Sequence, residues 1–185
     1  MDLSWLYLYF VLLLPGGWTL VSNFKIDNST IVNQLDFSYN GKLEDISKST
    51  TGNFLLKPSL YKTLIHSIGV TEIRIFCYKT WHGRTMDAAF NLKDEAVLNG
   101  VIGVPSSQIF NFCSPREVRF LSDDTSLISG VPCEQQLLSP SSPYDHLFYV
   151  SGKHHVILHP ARQECDDFQV NNNFNSKGDW RFYVR

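Results

Sequence analysis

The chain begins with an apolar run that is too short to cross a membrane. Residues 3–14 read L-S-W-L-Y-L-Y-F-V-L-L-L and are followed at once by Pro15-Gly16-Gly17. A membrane-spanning helix needs about 20 apolar residues, and Pro and Gly end this run well before that length. The run therefore predicts a signal peptide over residues 1–22, cleaved near Ser22, and a secreted, extracellular product. The alternative is a buried N-terminal strand or helix of a cytosolic domain.

The remaining sequence contains no comparable apolar run, so no membrane span is expected. Asn28-Ser29-Thr30 is an N-glycosylation sequon, and its position just after the leader predicts a modified Asn28 in an exported glycoprotein. We expect residues 23–53 to form a partly extended N-terminal segment. Residues 54–185 are enough for a single compact domain.

The four cysteines are Cys77, Cys113, Cys133 and Cys165. In an exported chain an even number of cysteines predicts disulfides, here two bonds with three possible connectivities. No C-x-x-C pair occurs, and the spacings match no zinc ribbon or zinc finger. A structural metal site made of cysteines is therefore not expected.

The segments around the two middle cysteines favour one connectivity. Residues 118–121 and 126–131 flank a turn at residues 122–125, which predicts a hairpin centred near residue 123. Cys113 and Cys133 are symmetric about that centre, so they would face each other across the same ladder. This geometry favours Cys113–Cys133, which leaves Cys77 to pair with Cys165.

Strand signals dominate the rest of the chain. Residues 71–78 alternate with period two, and this places Ile73, Ile75 and Cys77 on one face. Shorter runs at residues 147–150 and 155–158 are rich in aromatic and β-branched residues, and the turn signal between them predicts a hairpin. A similar run covers residues 180–184.

One helix is predicted over residues 58–68, because Pro58 suits a first helical turn, apolar residues recur at helical spacing and Gly69 follows as a stop. A second, shorter helix begins near Lys93. The predicted fold class is therefore α+β, a mostly antiparallel β-sheet with one or two short helices, linked by disulfides.

The charge balance excludes one class of partner. Lys and Arg number 16 and Asp and Glu number 18, so the formal net charge is −2. Such a chain has no basic surplus to neutralise a phosphate backbone. We expect no nucleic-acid partner.

The tetrapeptide Trp81-His82-Gly83-Arg84 combines a flat aromatic ring, a titratable ring and a guanidinium on one turn. Such a set can stack on a sugar and hydrogen-bond to it or to an anionic group, provided that all three side chains point outward. Trp81, His82 and Arg84 are therefore the candidate ligand-binding residues. The alternative is a structural turn in which Trp81 covers the edge of the core and Arg84 pairs with a nearby acid.

The densest acidic patch surrounds Cys165 and consists of Glu164, Asp166 and Asp167. Oxygen-rich clusters in extracellular proteins can hold calcium weakly, so these three are candidate calcium ligands. The D-x-[DN]-x-[DN]-G loop that would make calcium binding specific is absent, and a solvated acidic turn is the alternative. No other cofactor is expected.

Catalytic motifs are missing from the sequence. G-x-S-x-G, H-E-x-x-H, G-x-G-x-x-G and a phosphate-binding loop do not occur. No residue is therefore assigned a catalytic role, and the chain is expected to act by binding.

Several motifs resemble those of a family of small, secreted, functionally uncharacterised, cysteine-containing proteins of aquatic invertebrates. The motifs are K-x-W-H-G-R-T at residues 79–85, D-D-x-S at 123–126, E-C-D-D at 164–167 and a terminal G-D-x-W-x-x-Y-V-R-like stretch at 178–185, and the resemblance covers roughly residues 54–185. The resemblance implies an exported, disulfide-linked protein. It implies no activity, and it assigns no role to any residue.

These observations favour a secreted, non-enzymatic protein that binds an extracellular glycan or protein, at the cell exterior or in the extracellular matrix. The first alternative is a secreted hydrolase that uses carboxylates or His82. The second is a secreted defence or venom-type effector. Lys62 is the only lysine in the predicted 58–68 helix, which argues against attack on membranes by that helix.

Overall fold

The structure is a computed structural model that describes residues 17–27, 43, 46, 53–54, 56, 58–92, 110–111, 118–132, 137–138, 146–149, 154–159, 162–168 and 177–185. Within this part of the chain the strands are β1 Thr19–Ile26, β2 Glu72–Tyr78, β3 Thr85–Asn91, β4 Phe110–Asn111, β5 Val118–Phe120, β6 Leu137–Leu138, β7 His146–Tyr149, β8 His154–His159, β9 Arg162–Phe168 and β10 Gly178–Val184. Helix α1 covers Pro58–Ile68.

The described strands form two antiparallel five-stranded sheets. Their orders are β1-β10-β2-β3-β5 and β4-β6-β7-β8-β9. This arrangement confirms the predicted α+β class with mostly antiparallel sheet.

Alternation along β2 and β10 creates the core face of the first sheet. In β2 the side chains of Ile73, Ile75 and Cys77 are buried and their neighbours are half-buried, as predicted from period two. Trp180 lies opposite Cys77 in the register and stacks on Phe24 of β1, with ring centroids 5.2 Å apart. Large apolar side chains from three neighbouring strands therefore meet on one face.

Helix α1 is present where the sequence predicts it. Tyr61 and Leu64 are buried, and Gly69 follows with a positive φ of 70° while its amide bonds to the carbonyl of Ile65 at 3.1 Å. A positive φ at this position favours glycine and ends the helix. The Tyr61 hydroxyl also lies 3.0 Å from Ser22 Oγ, which connects α1 to β1.

Strand β1 runs through the predicted boundary between residues 22 and 23. It pairs with β10 from Thr19 to Ile26, and Val21 and Ser22 are fully buried. The compact unit therefore includes a strand that the predicted 54–185 range leaves out. The physical reason is that the segment after Gly17 carries aromatic and β-branched residues, which suit a strand as well as the end of a leader.

The hairpin predicted around residue 123 does not form. β5 pairs with β3, and Ile128–Gly130 is a short 3-10 helix in place of a return strand. Ser126 and Asp124 hydrogen-bond to each other there, at 2.9 Å from Oγ to Oδ1. The hairpin predicted between residues 147–150 and 155–158 is confirmed as β7 and β8.

A disulfide joins the two sheets. Cys77 of β2 is bonded to Cys165 of β9, with Cα atoms 5.9 Å apart. The predicted Cys77–Cys165 bond is thus present. The hairpin around residue 123, from which this pairing was inferred, is absent, so the bond is predicted correctly although the hairpin is not.

Several predictions lie outside the described residues. They are residues 1–16 of the leader predicted over residues 1–22, the sequon at Asn28, the helix near Lys93 and the Cys113–Cys133 bond. In the described part of the chain, no helix has both the length and the apolar character needed to cross a bilayer.

Candidate functional site

The tetrapeptide singled out in the sequence lies on a closed loop between β2 and β3. Tyr78 pairs with Thr85 at the base, and within residues 79–84, here called the 79–84 loop, the Gly83 amide bonds to the Lys79 carbonyl at 2.9 Å. Gly83 has a positive φ of 70°, which favours glycine at that position. The loop is therefore a tight, internally bonded turn.

The acidic motif lies on β9 and forms a bulge. His155 pairs with Asp167 and Val156 pairs with Cys165, so Asp166 has no partner in the ladder. Asp166 has a φ of 56°, a left-handed conformation that Asp tolerates better than most residues. Residues 164–167, here called the acidic bulge, are all fully or nearly fully buried.

The Asp166 carboxylate organises one side of the site. It accepts hydrogen bonds from the amides of Leu127 and Ile128 at 3.0 and 3.1 Å, and so caps the short 3-10 helix. It also pairs with the Arg84 guanidinium, whose Nη2 donates to the Asp166 carbonyl at 2.7 Å. One buried carboxylate thus holds the 79–84 loop and the 3-10 helix together.

His82 uses both ring nitrogens within the protein. Its Nδ1 accepts the Arg84 amide at 3.0 Å, and its Nε2 donates to the Cys165 carbonyl at 3.1 Å. This pattern requires the neutral Nε2–H tautomer, because a protonated ring would have no acceptor for the Arg84 amide. Burial lowers the pKa of His82, the Arg84 charge lowers it further, and Asp167 acts in the opposite direction.

Lys79 is a fully buried residue whose side chain contacts β9 and β10. Its Nζ donates to the Gln163 carbonyl at 2.8 Å, lies 3.1 Å from Asp167 Oδ2 and lies 5.1 Å from the centre of the Trp180 ring. Burial lowers the pKa of Lys79, whereas the charge of Asp167 opposes that shift. The sequence predicts no role for Lys79, and the feature that could have pointed to it is its place as the first residue of the K-x-W-H-G-R-T motif.

Trp81 is the member of the tetrapeptide that faces outward. Its side chain is 51% exposed, yet its Nε1 donates to Asp167 Oδ1 at 2.8 Å. The ring also contacts His82 edge-on, with centroids 4.8 Å apart. The indole is therefore fixed at one edge and open on its surface.

The three candidate calcium ligands contact protein donors. Glu164 lies 3.2 Å from His155 Nδ1, Asp166 binds Arg84 and two amides, and Asp167 binds Lys79 and Trp81. Among the residues that the structure describes, no cluster of three His, Cys, Asp or Glu side chains has the arrangement of a metal site. These contacts give the acidic bulge a structural role.

The D-D-x-S motif contributes to a second network, which is centred on Asp87 of β3. The buried Asp87 carboxylate binds Arg74 at 2.7 and 2.6 Å, and the Asp87 amide donates to Asp124 at 3.0 Å. The hydrogen bonds that Arg74 donates to the Asp87 carboxylate raise the pKa of Arg74. The motifs on which the family resemblance depends thus contact each other or the core.

A groove of about 370 Å³ opens where β1 and β2 end and β10 begins. The residues that line it are Lys25, Ile26, Asp27, Tyr78, Thr80, Lys177, Gly178 and Asp179. Thr80 directly precedes Trp81 in the 79–84 loop. No residue of the acidic bulge lines this groove, and neither does His82.

The three predicted ligand-binding residues therefore differ in their exposure to solvent. Trp81 lies at the surface, whereas the side chains of His82 and Arg84 are 5% and 24% exposed and bind the acidic bulge. The ligand-binding role of Trp81 stays a prediction.

Comparison of this chain with known protein families, with curated proteins and with solved structures finds no match.

Proposed function

We propose that this chain is an exported, non-enzymatic binding protein that takes a glycan on the exposed indole of Trp81. The observation that carries the proposal is the combination of a 51% exposed ring with an Nε1 that is bonded to a buried carboxylate. A ring held in this way loses little conformational freedom when a ligand stacks on it. Sugar rings present apolar faces that suit such a surface.

The contacts that the carboxylates and His82 make within the protein favour a binding function over the hydrolase alternative. A hydrolase needs a carboxylate or histidine that reaches a substrate, within hydrogen-bond distance. Here Asp166 is fully buried and engaged by Arg84, and both nitrogens of His82 are engaged by main-chain groups. The groups named for hydrolysis are used to hold the 79–84 loop on β9.

Export is supported by the inter-sheet disulfide, since such bonds persist in oxidising compartments. We propose that the leader ends before Trp18. Cleavage after Ser22 would remove the buried Val21 and Ser22, and Ser22 Oγ accepts the Leu56 amide at 2.9 Å. Asn28 follows β1 closely and is the proposed glycosylation site of the secreted protein. N-terminal sequencing and intact mass of secreted material test both statements.

The binding proposal is tested with protein secreted from eukaryotic cells and a panel of immobilised glycans. Trp81→Ala should lose about 30-fold or more in affinity for the glycan that wild type binds, as expected for a central aromatic contact. Trp81→Phe keeps a flat ring but loses the bond to Asp167, so its loss should be smaller.

Leu127 supplies a matched control, because it is the other large apolar side chain that is exposed in the described part of the chain, at 50%. Leu127→Ala should bind as wild type does. Equal losses in the two alanine variants would indicate a general apolar patch and would contradict the proposal, as would unchanged binding by Trp81→Ala. Thermal melts of each variant establish that it is folded.

A further inference from the structure

Lys79 and Asp167 place an amine against a carboxyl group inside the protein. Lys79 Nζ lies 3.1 Å from Asp167 Oδ2, and the two side chains are 0% and 7% exposed. The amine also donates to the Gln163 carbonyl at 2.8 Å and lies 5.1 Å from the centre of the Trp180 ring. A primary amine and a carboxyl group are the two reactants of an amide bond, and here they are in contact with little access for water.

The fold holds both reactants in place. Cys77 is bonded to Cys165, and this bond fixes the two chain segments relative to each other. Lys79 and Asp167 follow these cysteines by two residues each. Asp167 Oδ1 accepts Trp81 Nε1 at 2.8 Å, and Oδ2 accepts the Cys165 amide at 2.8 Å. The two donors withdraw electron density from Cγ and stabilise the negative charge that develops on the carboxyl oxygens when an amine attacks, while the fixed geometry raises the effective concentration of the amine.

The protonation states of the pair also suit this reaction. Attack by a lysine requires its neutral amine. Burial lowers the pKa of Lys79, although the charge of Asp167 opposes the shift. The proton that Nζ loses has an acceptor at 3.1 Å, the Asp167 carboxylate itself. Transfer of this proton converts a buried ion pair into a neutral amine and a neutral carboxyl group, the two forms that burial favours.

We propose that Lys79 and Asp167 form an amide bond between their side chains. Nζ attacks Cγ of Asp167 and the C–N bond forms, while the bond from Cγ to one carboxyl oxygen breaks. That oxygen leaves as water with two of the three protons of the original ammonium group, Nζ keeps the third, and the other oxygen becomes the amide carbonyl. The reaction needs no oxidant, reductant or further reactant, and its product replaces two buried charges by a neutral group.

This modification goes beyond the proposed function, because it concerns the folded chain itself and needs no ligand. It adds a second covalent link between the segment that follows β2 and strand β9, and this link survives reduction of the disulfide. It also anchors the first residue of the 79–84 loop, which carries Trp81, to the acidic bulge.

The test is mass spectrometry of the full secreted protein after removal of N-linked glycans and reduction of the disulfides. Wild type should weigh about 18 Da less than the sequence of its mature chain requires, the mass of one water. Trypsin does not cleave after an acylated lysine, so the digest should contain a branched peptide that joins residues 75–84 to residues 163–177. Lys79→Arg keeps the positive charge but removes the nucleophilic amine, so this variant should have its full sequence mass. The matched control Lys62→Arg, on α1, should keep the deficit of wild type.

A wild-type protein of full sequence mass, whose digest is cleaved after Lys79, overturns the proposal and leaves Lys79 and Asp167 as a buried ion pair. A deficit that Lys79→Arg also shows, or a branched peptide that joins other residues, overturns it as well, because the water is then lost elsewhere. If Lys79→Arg is not secreted, the wild-type digest alone decides between these results.

Discussion

Replacement of Asp166 by Ala is expected to lower the free energy of unfolding by about 3–5 kcal/mol, the range for breaking a buried charged pair. Asp166 is fully buried and accepts the amides of Leu127 and Ile128 at 3.0 and 3.1 Å. Each hydrogen bond to a charged group contributes about 1.5–3 kcal/mol. Arg84 is 24% exposed and keeps part of its hydration, so its pair contributes less than a fully buried one.

Two further variants isolate the carboxylate from other effects. Alanine at a φ of 56° adds strain of about 1–2 kcal/mol, whereas Asn tolerates that conformation and keeps one acceptor oxygen. Asp166→Asn should therefore lose about 1–3 kcal/mol. Asp123→Ala is the matched surface control, because its side chain is 70% exposed and its carboxylate lies 3.8 Å from Arg74. Its expected loss is about 0.5 kcal/mol or less.

The assay is equilibrium unfolding in guanidinium chloride, followed by tryptophan fluorescence and by far-UV circular dichroism. The two probes should report coincident transitions. A loss below about 1 kcal/mol in Asp166→Ala, similar to that in Asp123→Ala, would refute the reasoning. The contacts of the Asp166 carboxylate would then contribute little to the free energy of unfolding.

Three other perturbations follow from the structure. Gly178→Ala should lower the free energy of unfolding by about 1–3 kcal/mol, because a Cβ there would lie 2.6 Å from a main-chain oxygen of β2. Gly130→Ala is the control, since a Cβ at Gly130 meets no atom within 4 Å, and its denaturant midpoint should stay close to that of wild type. Burial and the neighbouring Arg84 guanidinium lower the pKa of His82 in the folded protein. The stabilisation by His82 is therefore complete above its unfolded pKa of 6.5 and is lost as the pH falls below that value. In thermal melts between pH 7.5 and 5.5, the melting temperature of His82→Asn should fall less than that of wild type. Replacing Cys77 and Cys165 together by Ala should lower the free energy of unfolding by about 4–5 kcal/mol, because the bond closes a loop with a separation of 88 residues and so reduces the entropy of the unfolded chain. A decrease below about 1 kcal/mol in urea unfolding would contradict this expectation.

Local patterns are sufficient to predict the buried face of β2 and the C-terminal end of α1. The alternation of residues 72–78 predicts the buried Ile73 and Ile75, and the stop at Gly69 predicts the end of α1. The hairpin around residue 123 failed for a physical reason. β3 supplies the partner of β5, and Asp166 caps the 3-10 helix that replaces the return strand, both from far away in sequence.

The candidate site was only partly predictable for the same reason. The tetrapeptide and the acidic motif are both visible in the sequence, but Arg84 and Asp166 are 82 positions apart and no local pattern joins them. The alternative reading of the turn, in which Arg84 pairs with an acid, agrees with the structure. For Trp81 the sequence allows either a buried or an exposed ring, and the structure combines an exposed ring with a hydrogen bond to the buried Asp167.

The pairing of β1 with β10 has a consequence for the order of assembly. β1 is the first described strand to be synthesised, and its ladder partner is the last, so β1 has no sheet to join until the rest of the described chain has been made. β10 also lies between β1 and β2, which means that its removal disconnects β1 from the whole sheet. Until β10 is made, β1 therefore lacks its ladder partner, and a chain that stops short of residue 178 exposes that edge of the strand to other chains.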